Sequence, residues 1–278
     1  MKCCLSIAGS DSSGGAGIQA DLKTFAAHNI FGMSAITALT AQNTLGVHGV
    51  KYVSPDFIEQ QISAVFDDIR PDSVKIGMLA NQAIVLAVAA RLTFYNAGNV
   101  VLDPVMIATS GDPLLDRQAI GSIIHSLIPY SDIITPNISE LISLCEAQSI
   151  DCDIPAGEIN QHELKRLTTQ LHASLPNKKN GGRVAILSKG GHLSGDIAAD
   201  YLIDSSGQYW FESPRVDTAN THGTGCTLSS AISANLAIGY TLHQACAQAK
   251  DYLNQTLAKG LDLGSGNGPL NHYTFFPA

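Results

Sequence analysis

Cys4-Leu5-Ser6-Ile7-Ala8-Gly9-Ser10-Asp11-Ser12-Ser13-Gly14-Gly15-Ala16-Gly17-Ile18 opens the informative part of the chain. Residues 4–8 form an apolar run of strand length, and residues 9–17 are almost all turn formers. Ile18, Leu22 and Phe25 then recur at helical spacing toward His28. A strand, a glycine loop and a helix raise the dinucleotide-binding fingerprint, whose looser form fits Gly15-Ala16-Gly17-Ile18-Gln19-Ala20. That fingerprint also needs an acid for the ribose hydroxyl at the end of the next strand. No Asp or Glu occurs between His28 and Val50, which argues against NAD while leaving the loop free to wrap another ligand.

The alternation continues outward from this unit. Strand patterns at 33–40, 73–78, 99–102, 132–134 and 184–187 alternate with helical patterns at 57–69, 82–95, 117–127 and around Glu140, Leu141 and Leu144. Residues 199–203 and 208–211 read as a β-hairpin across Asp204-Ser205-Ser206-Gly207, and helices are expected at 226–238 and 242–259. Polar text at 147–161 and 178–182 reads as loops around a surface helix. The fold class implied is α/β, a mostly parallel sheet covered on both faces. No repeat or linker marks a boundary, so one domain over residues 1–278 is expected. Ligands of such sheets bind beyond the carboxyl ends of the strands. Asp11, Gln42, Gly77 with Met78, Asp103, Asn137 and Lys189 fall at those ends.

Composition narrows the partners. The 278 residues are 45% apolar and 14% charged, with a net charge of −8 and scattered cations. Nucleic acid and anionic membrane are therefore disfavoured. A phosphate site must rest on backbone amides, one or two cations and a metal. The six cysteines include no CxxC pair, which suits reduced thiols and a cytoplasmic protein. The apolar run after Lys2 ends too soon for a signal peptide, and the run at 83–90 is too short to span a bilayer.

The chemistry is expected at Asn220-Thr221-His222-Gly223-Thr224-Gly225-Cys226-Thr227-Leu228-Ser229. Glycines running into an apolar helix present unpaired N–H groups and a partial positive charge, which suits a phosphate. Gly223 and Gly225 put no side chain in the way. Cys226 falls in the first turn, where the same field favours thiolate. A glycine turn before a core helix, with Cys226 as a packing residue, fits the motif equally well. Asp103, before a proline, is either a turn carboxylate or a ligand of hydrated Mg²⁺. Asn137 and Glu140 form a capping-box pattern that is compatible with Glu140 facing the same metal. Lys189 can reach phosphates or simply solvate. Asp21 can be a first-turn helix acid, and Met78 a core residue. No GxxxxGK[ST] segment occurs, so a P-loop kinase is excluded.

Residues 7–24, Ala41-Gln42-Asn43-Thr44, Lys75-Ile76-Gly77-Met78-Leu79, Val101-Leu102-Asp103-Pro104-Val105-Met106, Thr135-Pro136-Asn137 with Glu140, Lys189-Gly190-Gly191-His192 and residues 221–229 occur in order. In that order they resemble the hydroxymethylpyrimidine/phosphomethylpyrimidine kinases of thiamine biosynthesis, and Gly266 to Pro269 resembles the glycine-proline tail of that family. The resemblance implies a ribokinase-like three-layer fold without a separate lid, usually a homodimer, using ATP and Mg²⁺. It implies Cys226 as catalytic base, where sugar-kinase relatives place an aspartate. It also implies an anion hole at Gly223, Thr224 and Gly225. Gly9, Asp21, Gln42, Met78, Val105 and Cys226 correspond to the pyrimidine pocket. Asp103, Asn137, Glu140, Lys189 and Thr221 correspond to the Mg-ATP side, with Gly223 and Gly225 shared; Asp103 and Glu140 are the metal residues. Residues 147–180 follow no pattern of that family.

Two competitors remain. A pyridoxal kinase of the same architecture acts on a similar heteroaromatic alcohol. Gln42 favours the pyrimidine, because its amide can both donate and accept against an aminopyrimidine edge. A catalytically silent binding protein would not need Cys226, Asp103, Glu140 and Lys189 together.

Overall fold

In the computed structural model, which describes residues 1–106, 114–115, 117–152 and 159–273, the opening unit is β1 (Cys3–Asp11) followed by α1 (Gly17–Ala27). The chain continues through β2 (Phe31–Asn43), β3 (Gly46–Tyr52), α2 (Pro55–Asp68), β4 (Ser73–Ile76), α3 (Gln82–Tyr95), β5 (Val100–Leu102) and α4 (Arg117–Ser122). A π turn (Ile123–Leu127) and a 3-10 turn (Ile128–Tyr130) lead to β6 (Ile133–Ile134), α5 (Ile138–Ala147), α6 (Gln161–Ser174) and β7 (Ala185–Ser188). The hairpin is β8 (Ile197–Asp204) and β9 (Gly207–Pro214), and α7 (Thr224–Ala237) and α8 (Leu242–Ala258) complete the order.

Among the described residues the strands form one sheet, ordered β3-β2-β1-β4-β5-β6-β7-β8-β9. The run from β2 to β7 is parallel, while β3, β8 and β9 join antiparallel at the two edges. The sheet is of the α/β class expected, mostly parallel at its centre. From β1 the chain adds β2 on one side and returns to add β4 on the other. That reversal is where an open α/β sheet forms its ligand crevice. It brings the carboxyl ends of β1 and β4 to the same rim.

Alternation of side chains across the sheet separates two cores. Leu5, Ile7, Val74, Ile76, Val100 and Leu102 face the larger one, against α2, α3, α5 and α6. On the opposite face Val101, Ile133 and Leu187 pack under α7 and α8. Near β1 and β4 that second face becomes polar, with Ser6, Ser73 and Lys75 all fully buried opposite Ser230 and Ser233 of α7.

Two sequence expectations need correction. Thr40 does not end the second strand, which runs to Asn43 and is followed by β3, an edge strand. Residues 48–52 of β3 are exposed, so no buried face imposes a hydrophobic period on it. The helix expected over 117–127 becomes α4 and a π turn, before Pro129 in the 3-10 turn. In the polar stretch at 147–161, residues 153–158 lie outside the described residues; α6 follows it, burying Leu164, Leu167 and Leu171.

Candidate active site

The two glycine-rich loops meet face to face. Asp11, at the end of β1, turns back into its own loop: one carboxylate oxygen accepts from the Ser13 N–H and hydroxyl, the other from the N–H groups of Gly15 (3.0 Å) and Ala16 (2.8 Å). His222 Nε2 lies 2.8 Å from that second oxygen, tying residues 11–16 to residues 220–226. Burial pushes the Asp11 carboxyl up, but hydrogen bonds from His222, Ser13 and Ala16 prevail and hold it well below its usual range. Gly223, the N-cap of α7, has φ +88°, and a Cβ there would run into the carbonyl oxygen of Gly15. The absent side chain therefore makes room for backbone of the first loop, not for a ligand as the sequence suggested. Gly225 does clear the approach. A Cβ on it would stand 3.2 Å from Lys189 Nζ and 3.5 Å from an Asp103 carboxylate oxygen.

Cys226 lines the cavity over this junction, in the first turn of α7. The expectation of a favoured thiolate is overturned: burial pushes the thiol up to about 11. Lys75 and the Gly17 N–H, which donates to the sulfur, pull it down, while Asp21 and Asp103 push it up. The field of a helix terminus is worth about a kcal/mol and does not offset that desolvation.

On the far side of Gly225, Lys189 Nζ sits 2.8 Å from Asp103 Oδ1 and 3.7 Å from Glu140 Oε2. Asp103 also accepts from Thr135 (3.0 Å) and Ser229 (3.3 Å). Asn137 and Glu140 form the capping box of α5: the Asn137 side chain accepts from the Glu140 N–H, and Glu140 Oε2 accepts from the Asn137 N–H at 2.7 Å. Burial, reinforced by Asp103, pushes the Glu140 carboxyl up to about 7 despite Lys189. Burial also opposes the Asp103 charge, but Lys189 and Lys75 hold that carboxyl down. Among the described residues no group of three or more His, Cys, Asp or Glu forms a ready metal cage. The donors here are two carboxylates flanking one ammonium.

All this opens into one cavity of about 1290 Å³, larger than a typical single-ligand pocket. Gly9, Gln42, Met78, Val105, Cys226, Asp103, Asn137, Glu140, Lys189, Thr221, Gly223, Thr224 and Gly225, each expected at a site, all line it. Asp21 does not. Both its oxygens lie 2.8 Å from Lys75 Nζ, and Ser6 (2.5 Å) and Ser230 (2.7 Å) take the remaining acceptor positions. The expected pocket residue is thus sealed beneath the floor, and Lys75 lines the cavity in its place. Sequence reading missed Lys75 and His222. The signal for Lys75 was a lysine inside an apolar strand pattern, a residue almost never fully buried unless paired. Gln42 sits beside His222, its Nε2 3.4 Å from the ring, with its Oε1 accepting from Thr40. The tail also contributes: Gly268 accepts from the His222 N–H, and the Asn267 N–H donates to Thr44.

A family profile of phosphomethylpyrimidine kinases matches residues 11–271. The hydroxymethylpyrimidine/phosphomethylpyrimidine kinase of Escherichia coli (strain K12) is 45% identical over 271 residues, 97% of this chain and 96% of that protein. The thiamine biosynthesis bifunctional protein of Geobacter sulfurreducens is 44% identical over 96% of this chain and 51% of its own length. Among solved structures, an ADP complex of Bacillus subtilis pyridoxal kinase superposes with a TM-score of 0.83 at 32% identity, covering 98% of each chain. By sequence over nearly its whole length, the chain belongs to the phosphomethylpyrimidine kinase family.

Proposed function

We propose that this chain, acting as a single kinase domain over residues 1–278, phosphorylates 4-amino-5-hydroxymethyl-2-methylpyrimidine with ATP. It then phosphorylates the monophosphate to the diphosphate, as a step of thiamine biosynthesis. The observation that carries this reading is that Cys226, the Asp103–Lys189–Glu140 group and the Gln42 amide all line one cavity, at the switch point of the sheet.

In this reading the pyrimidine lies between Gly9, Met78 and Val105, with the Gln42 amide against its polar edge and the hydroxymethyl arm toward Cys226. The thiolate of Cys226 takes the alcohol proton as the oxygen bonds to the γ-phosphorus and the bond to ADP breaks. Burial keeps most of the thiol protonated near neutrality, so turnover should rise with pH. The N–H groups of Gly223, Gly225 and Cys226, together with Lys189, spread the charge of the transferring group, while the Thr224 N–H already donates to the Thr221 carbonyl at 3.3 Å. Asn137 and Thr221 line the nucleotide side, and Asn137 orients Glu140 through the capping box. Two carboxylates against one ammonium leave one excess negative charge when both are ionised. That donor set fits Mg²⁺, which is held by one or two carboxylates together with phosphate oxygens and water. Asp103 and Glu140 would hold the ion, which supplies neutralisation of phosphate charge when bound.

The chain is further proposed to be cytoplasmic, which its six free cysteines support, and to pair as a homodimer, which the uncovered edge strand β3 supports. No described helix is long and apolar enough to cross a membrane. Pyridoxal kinase activity is the second reading, favoured by the structural likeness to the Bacillus subtilis enzyme. The test is ADP release from Mg-ATP with hydroxymethylpyrimidine, its monophosphate and pyridoxal side by side. Higher kcat/KM for both pyrimidines is expected; preference for pyridoxal, or no ADP release, overturns the assignment.

A further inference from the structure

The phosphoryl-transfer mechanism leaves the glycine-proline tail without a task. None of residues 264–269 lines the cavity, yet they tie together the segments carrying Gln42 and His222, which do. On one side the Gly266 N–H donates to the Thr44 hydroxyl at 3.2 Å and the Asn267 N–H to the Thr44 carbonyl at 3.0 Å. On the other the Gly268 N–H donates to the Ala219 carbonyl at 3.2 Å, and the His222 N–H to the Gly268 carbonyl at 3.0 Å. Thr44 stands in the turn between β2 and β3, two residues after Gln42. Neither Gly266 nor Gly268 has a left-handed φ, so backbone conformation does not call for glycine at either position. Close contact does. A Cβ on Gly266 would stand 2.1 Å from the Thr44 carbonyl oxygen, and one on Gly268 would stand 1.9 Å from Asn220 Oδ1. The far end of this strap is rooted in the fold: Leu270 is buried with the α7–α8 core, and the buried His272 lies 2.8 Å from the Tyr252 hydroxyl.

We infer that Thr44 is a positioning residue for the pyrimidine: held by the strap, it sets the distance between the Gln42 amide and the loop ahead of α7. This rests on the reading that the Gln42 amide meets the polar edge of the ring. Packing alone does not hold the turn, because β3 pairs only with β2 and residues 48–52 are exposed. Ser12 draws Gln42 toward the first loop, its Oγ lying 2.9 Å from both the backbone nitrogen and the carbonyl oxygen of Gln42. The strap supplies the opposing hold, from a segment anchored under α7 and α8. The ring edge must stay on Gln42 while the hydroxymethyl arm reaches the loop before α7, so a change in their separation is felt in pyrimidine binding. Asp103, Asn137 and Lys189, on the nucleotide side, take no hydrogen bond from the strap.

The test is steady-state ADP release, with KM determined separately for hydroxymethylpyrimidine and for ATP. In Gly266→Ala the new methyl group must displace Thr44, and KM for the pyrimidine should rise at least about tenfold with KM for ATP within about twofold of wild type. A strap that only stabilised the fold would lower the active fraction, and hence kcat, with both KM values unchanged. Thr44→Val, which lacks the hydroxyl that accepts from Gly266, should raise the same KM by about three- to tenfold, and Thr44→Ser should behave as wild type. That pair keeps the test available if Gly266→Ala does not fold. In a Gln42→Ala background Gly266→Ala should add less than about twofold, because the group it misplaces is gone. An unchanged pyrimidine KM in Gly266→Ala, equal rises in both KM values, or full additivity with Gln42→Ala overturns the inference. Gln42→Ala alone separates this from the placement of the ring. If it leaves the pyrimidine KM unchanged, both fail; if it raises that KM while Gly266→Ala does not, only the role of Thr44 and the strap fails.

Discussion

Replacing Gly225 with alanine should separate stability from activity. Gly225 is the second residue of α7 and is helical, so the substitution removes unfolded-state freedom and should leave stability unchanged or raise it by up to about 1 kcal/mol. The new methyl group would sit 3.2 Å from Lys189 Nζ and 3.5 Å from Asp103 Oδ2. The first contact is tighter than most real Cβ contacts, and Lys189 cannot move far without giving up its 2.8 Å bond to Asp103. The ammonium must therefore give way by some tenths of an ångström, and the methyl group occupies the space over the helix terminus where the phosphoryl group is proposed to pass. Misplacement on the ångström scale costs about 100-fold in a positioned reaction. Urea unfolding and steady-state ADP release are the paired assays. A variant as stable as wild type with kcat/KM for ATP down about 100-fold is expected. Turnover within twofold of wild type would show that the space above Gly225 is not on the reaction path.

Gly223→Ala should behave differently, because its Cβ meets backbone and its φ is left-handed; a loss of at least about 2 kcal/mol in urea unfolding is expected. Asp103→Asn should raise the Mg²⁺ concentration for half-maximal turnover at least about tenfold, read by metal titration at saturating substrate. His272, buried beside the Tyr252 hydroxyl at 2.8 Å, is pushed by burial down to about 4, and Lys23 and His28 add to the shift. The unfolded chain, with an ordinary imidazole near 6.5, takes its proton first. This contribution to stability is therefore complete above about pH 6.5 and is lost as pH falls toward 4, by up to about 3 kcal/mol. Unfolding free energy should drop less between pH 7 and pH 4.5 in His272→Gln than in wild type; equal drops would contradict the assignment.

Local periodicity carried most of the architecture into the sequence. The helix expected at 82–95 has the bounds of α3, because Asn81 caps its start and Asn96 ends it in a left-handed conformation. Strand β3 was invisible because an exposed edge carries no burial pattern. The strand-end residues were legible because turn formers after apolar runs mark the rim of a parallel sheet. Asp21 and Lys75 were not, since their pairing spans 54 positions and depends on which face of β4 meets α7. The reason for Gly223 lay in Gly15, 208 positions away, and no local reading of the motif would find it. For Cys226 the local field gave the wrong sign, because the dominant cause is burial by the whole fold.

The most direct measurement is phosphoryl transfer by Cys226→Ala, with hydroxymethylpyrimidine and ATP affinities determined on the same preparation. A fall in kcat of about 10²–10⁴ with both dissociation constants within about threefold of wild type is predicted. Near-normal turnover in that variant would contradict the account, since the proton would then be leaving the alcohol by another route.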